Sequence, residues 1–97
     1  MKISEFLARL NISSQDWGLW INYDNVQEYH VGQYFYENDR LPKHYIHVSS
    51  LHDLAHRRQQ YIINNNASGK SDEVLGQEWA DHFLSEWNVS TVSLLHH

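Results

Sequence analysis

At 97 residues, with 41% hydrophobic and 13% aromatic side chains, the chain has material for one modest core and too much Trp and Tyr for a disordered segment. It contains no cysteine, which excludes a disulfide framework and a thiolate metal site and fits a reducing cytoplasm; no apolar run nears the roughly 18 residues of a membrane span. A formal charge of −5 disfavours nucleic acid and anionic membrane as direct partners and favours a basic protein surface.

Ile3, Phe6, Leu7 and Leu10 recur at i, i+3, i+4 and i+7, so the chain opens on a short amphipathic helix over residues 4–10, capped by Ser4 and ended by Asn11. Ser13 to Asp16 has the Ser-x-x-acid form of a capped turn. Leu19 to Tyr23 then reads as a strand, Asp24-Asn25 as a hairpin turn, and Val26 to Tyr36 as a second strand in which Gly32 marks a bulge or close approach. After a turn over Glu37 to Pro42, His44 to Val48 forms a third strand. Three strands joined by short turns predict an antiparallel meander, one face of which must be covered by helices.

Ser49 and Ser50 open the next helix, over residues 50–65, with Asp53 completing a capping box and Leu51, Leu54, Ala55, Tyr61 and Ile62 facing inward. Asn64 to Lys70 is a loop. The segment Ser71 to Trp87 is a helix with Ser71 as N-cap, Asp72 and Glu73 in its first turn, and Leu75, Trp79, Ala80, Phe83, Leu84 and Trp87 on one arc. Val89 to Leu95 reads as a short edge strand or a loosely packed end. The whole is a single α+β domain, 1–97: a three-stranded antiparallel sheet packed against two or three helices.

Charge is unevenly spread. Up to Lys70 there are seven acids and seven bases, whereas Ser71 to Trp87 carries Asp72, Glu73, Glu78, Asp81 and Glu86 with no Lys or Arg. A purely structural helix usually adds basic residues at i+4, so this unneutralised stripe is the leading candidate contact surface. At about 1.5 Å per residue it supplies one charge per roughly 5 Å, against one per about 1.7 Å for a DNA duplex. Mimicry of DNA would need Glu28, Glu37 and Asp39 to extend it.

Catalytic parts are sparse: there is no G-x-S-x-G elbow, phosphate-binding glycine loop or dinucleotide fingerprint, and no cofactor is called for. His52-Asp53-Leu54-Ala55-His56 resembles the zincin pattern H-E-x-x-H and keeps open a zinc hydrolase that uses His52 and His56. Its acid is the shorter Asp, however, and Arg57-Arg58 is a poor neighbour for a divalent cation. A further alternative is an interaction module with an aromatic face drawn from Trp17, Trp20, Tyr29, Tyr34 and Tyr36. Eight His make the net charge less negative as pH falls through about 6.5.

A small, acidic, cysteine-free chain without a catalytic motif resembles the phage-borne anti-CRISPR proteins, and the full length from MKISEFLARL onward is similar to an inhibitor of the type I-F (Csy) surveillance complex. That resemblance implies non-enzymatic inhibition by covering the complex's basic DNA-binding surface, with acidic residues standing in for phosphates.

Overall fold

A computed structural model describes residues 2–11, 13, 16–33 and 44–95, with the side chains of the last helix described as far as residue 86. The elements are α1 (Ile3–Ala8), β1 (Trp17–Asn22), β2 (Tyr29–Gln33), β3 (Tyr45–Ser50), α2 (Leu51–Asn64), a 3₁₀ turn (Asn66–Ser68) and α3 (Asp72–Leu95). This is the expected α+β architecture, an antiparallel three-stranded sheet packed against three helices. Among the described residues, no helix is long and apolar enough to cross a membrane.

The strand order is β2-β1-β3, so the sheet is not the predicted meander: β1, rather than β2, lies in the centre and pairs antiparallel with both neighbours. Composition explains why β1 takes that place. A central strand must bury both faces, and β1 is apolar on both, with Leu19 and Ile21 fully buried on the helix side and Trp20 only 1% exposed on the other. The β1–β2 turn is built by side chains as well as backbone. Asn22 Oδ1 accepts from Asp24 N at 2.9 Å, Asn25 Oδ1 accepts from Gln27 N at 3.0 Å, and Asn25 O accepts from Glu28 N at 3.0 Å. The register shift lies in the β1–β3 pairing, where Trp20 opposes His47 and Leu19 opposes Ser49; Gly32 is in regular register opposite Gly18 and forms no bulge with β1.

The helix ends follow their caps. Ser50 Oγ accepts from Asp53 N at 3.2 Å, and Ser71 Oγ accepts from Val74 N at 3.2 Å, as the sequence predicts for α2 and α3. Ser4 does not cap α1: the helix begins one residue earlier, at Ile3, with Lys2 in the N-cap position and no side-chain cap bond, and it ends at Ala8 rather than at Asn11. Residues 89–95 are not a strand but the continuation of α3. Extending an established helix adds a hydrogen bond per residue without a new nucleus, which outweighs the β-leaning Val and Thr content there.

The core lies between the sheet and the helices: Ile3, Leu7 and Ala8 of α1, Leu10 beyond it, Leu51 and Leu54 of α2, and Trp79 and Ala80 of α3 meet Leu19 and Ile21. Phe6 stacks on Tyr29 at 5.0 Å and Trp79 on Phe83 at 5.5 Å, joining α1 to the sheet and stiffening α3. Full burial of a side chain such as Leu54 or Leu75 contributes about 1.5–3 kcal/mol. At Gly76, α3 comes so close to α1 that an added Cβ would lie 2.6 Å from Ala8 O and 2.9 Å from an Arg58 terminal nitrogen. Gly76→Ala is therefore expected to lower stability by about 1–3 kcal/mol through forced separation of α1 and α3. Gly69, at φ +81° with open space around it, should lose only about 1 kcal/mol as Ala, from backbone strain alone. Urea unfolding of the two variants measures both costs.

Candidate functional site

The outward side of α3 is the surface that the sequence singles out. Its inward side is set by Leu75, Trp79 and Ala80, all buried, so helical geometry turns the residues between them outward. Asp72, Glu73, Asp81 and Glu86 are exposed, while Glu78 is only partly so. Four of the five acids fall in two rows at i+4 spacing, Glu73-Gln77-Asp81 and Glu78-His82-Glu86, with Asp72 outside them.

The stripe is not the unneutralised surface its sequence predicts. Lys70, one residue before the acidic segment, folds back so that Nζ lies 2.6 Å from Glu78 Oε1, and Tyr61 of α2 donates its hydroxyl to Glu78 Oε2 at 3.2 Å. Glu78 is thus a clamp between α2, the 65–71 connection and α3. Farther along, Gln77 Nε2 donates to Asp81 Oδ1 at 3.0 Å and His82 Nε2 lies 3.1 Å from Glu86 Oε1. Among the described residues, no Lys or Arg pairs with Asp81 or Glu86. Charge without a Lys or Arg partner is therefore left around the middle of α3, at Asp81 and Glu86, and at Asp72.

The remaining candidate acids divide. Glu28 closes the β1–β2 turn, accepting from Asn22 Nδ2 at 3.0 Å and Asn25 Nδ2 at 3.4 Å, both neutral donors that leave its charge in place. Glu37 and Asp39 lie outside the described residues, as do Tyr34 and Tyr36. Tyr29 faces the helices, stacked on Phe6, so it is not available as part of an outward aromatic face.

In the His52–His56 segment both imidazoles are exposed, and Asp53 is occupied elsewhere: its Oδ2 accepts from Ser49 Oγ at 2.9 Å and pairs with Arg57 Nε at 3.0 Å. The acid in the zincin position is part of the α2 cap, with a guanidinium beside it. Among the described residues, no three His, Asp or Glu gather in a way that would hold a metal.

Two groupings are not apparent from sequence order. On the sheet face away from the helices, Trp20 lies between His30 and His47, with ring centroids 5.9 and 5.3 Å away, and Tyr45 adjoins His30 at 6.5 Å. Only the strand register brings these together, since 10 and 27 positions separate Trp20 from the two histidines. Among the helices, a cleft of about 250 Å³ is lined by Ala8, Arg9, Arg58, Glu73, Val74 and Gln77. The Arg57-Arg58 pair hides this in sequence because its two members do different things: Arg57 holds Asp53, while Arg58 Nε donates to Ala8 O at 2.6 Å.

No protein-family model matches the chain, and neither a curated protein nor a solved structure matches it.

The pKa shifts give the site a pH signature. The Lys70 hydrogen bond holds the Glu78 carboxyl below its ordinary 4.5, against an opposing desolvation, and the Glu78 contact holds Lys70 above 10.5. Tyr61 is raised above 10, by desolvation first and Glu78 second. A depressed carboxyl stabilises fully above 4.5 and loses its contribution as pH falls through the lower folded value; raised Lys and Tyr groups stabilise below their ordinary values and lose it at alkaline pH. The clamp should therefore act as a plateau from about pH 5 to 10. Burial lowers the pKa of His47 below 6.5, so its contribution is present above that pH and declines as pH falls. Thermal midpoints of wild type against Glu78→Gln should differ at pH 7 and converge near pH 3, whereas His47→Gln should flatten the slope between pH 7 and 5.

Proposed function

We propose that this chain is a non-enzymatic anti-CRISPR inhibitor, which binds the type I-F surveillance complex and presents carboxylates of α3 to the basic surface that would otherwise hold target DNA. The observation that carries this reading is the exposed pair Asp81 and Glu86, on the outward side of α3, with Gln77 and His82 as their side-chain partners among the described residues. Helix α3 is held by a buried apolar face, so its carboxylates are presented on a rigid element rather than a loop.

Asp72, Glu73, Asp81 and Glu86 lie within fifteen residues, about 21 Å of helix from first to last, which gives one exposed charge per roughly 5–7 Å. That is too sparse to copy a duplex charge for charge. It suits a partner on which a few Lys or Arg side chains normally contact phosphate, with Glu28 as a secondary contributor and Glu37 and Asp39 as further candidates. Glu78 contributes less, because Lys70 already neutralises it.

Binding to a purified type I-F complex should weaken steeply with added salt, since charge pairing across such a surface is screened. The double reversal Asp81→Lys, Glu86→Lys should cost about tenfold or more in affinity, and Glu5→Lys on α1 almost nothing. Target DNA should compete with the inhibitor. An affinity indifferent to salt and to the double reversal would reject the reading.

A further inference from the structure

The cleft between the end of α1, α2 and the start of α3 has a local charge opposite to that of the chain. Acids outnumber Lys and Arg by twelve to seven. Yet among the described residues neither Arg9 nor Arg58 forms an ion pair with a carboxylate. Arg58 is partly buried and fixed: its Nε is committed to Ala8 O at 2.6 Å, and a terminal nitrogen lies against the bare Cα of Gly76. A guanidinium partly withdrawn from water with no carboxylate in ion-pair contact is under-compensated, and an anion entering the cleft would supply the missing contact. Because Arg58 is already immobilised, little side-chain entropy is lost on binding.

The rest of the lining narrows the class of ligand. A guanidinium matches the planar fork of a carboxylate, and Arg9 supplies a second one. Glu73 lines the same cleft, which disfavours a bare anion and favours one that also carries a positive group. Gln77 has its Nε2 engaged by Asp81, so its carbonyl oxygen is the acceptor left for an ammonium. Val74, exposed and apolar, offers a patch for a short side chain. At about 30 Å³ per water, 250 Å³ corresponds to roughly eight waters, room for a small organic molecule.

We propose that this cleft binds a small zwitterionic carboxylate of the α-amino acid class, its carboxylate on Arg9 and Arg58 and its ammonium on Glu73 and the Gln77 carbonyl. The cleft shares Glu73 with the exposed acids of α3 and touches Asp81 through Gln77, but Arg9 belongs to the cleft alone, so Arg9→Ala tests the cleft without altering partner binding through Asp81 and Glu86. Nuclear magnetic resonance of the full chain, titrated with L-alanine and in parallel with acetate, tests it. Saturable shifts at the Val74 methyls and the Gln77 side-chain amide are expected with L-alanine, at about tenfold higher affinity than with acetate. Arg58→Ala removes the donor to Ala8 O and threatens the fold, so the exposed Arg9 and Glu73 carry the comparison. Arg9→Ala should weaken L-alanine binding about tenfold, and Glu73→Gln should abolish the preference for L-alanine over acetate. No saturable shift with L-alanine, equal affinity for acetate, or an unchanged affinity in Arg9→Ala would each overturn the proposal.

Discussion

Gly76 occupies a place where a single added carbon would collide with the backbone of α1, and that missing carbon decides how three helices meet. It lets α3 lie directly against the carbonyl end of α1, and it leaves a slot through which Arg58 reaches the Ala8 carbonyl from α2. A helix of six residues is too short to be stable alone, and its last carbonyls need donors. Arg58 supplies one, and the apolar contacts of Ile3, Leu7 and Ala8 supply the rest. Seating α3 in this way fixes the direction in which its polar side faces, so the proposed contact surface and the Arg9/Arg58 cleft both follow from the same close approach.

Charge on α3 is governed by tertiary contacts more than by sequence order. Five acids in seventeen residues form one uniform stripe on paper, but the folded chain grades them. Glu78 is consumed in holding α2 and the connecting loop, Glu73 borders two guanidinium groups, and Asp81 and Glu86 retain only weak neighbours. A formal charge count thus overstates what a partner would meet at one end of the helix.

What could be read in advance was local. The arc of Leu75, Trp79, Ala80 and Phe83 and the caps at Ser50 and Ser71 each depend on residues within one or two turns, and all are present. Strand order was not legible, because it depends on which strand buries two faces, and Trp20 reveals its burial only once His30 and His47 are known to flank it. Lys70 and Glu78 are eight positions apart, a spacing that signals nothing until the loop folds back. Arg58 beside Arg57 resembles an ordinary solvated pair, although fifty residues separate it from the carbonyl it holds. The β-branched run after Trp87 misled for another reason, since intrinsic preference yields to a helix already under way.

The pairing of α1 with α3 also shapes how the chain reaches its native state. Helices from the two ends of the sequence pack on each other, and the central strand waits for partners on both sides. The β1–β2 hairpin closes locally, but the pairing of α1 with α3 requires most of the chain to be drawn into a loop first. During synthesis, α1 would leave the ribosome with its apolar face uncovered until α3 followed. The interval before α3 appears is the point in the life of this protein at which chaperones and proteases have the most to recognise.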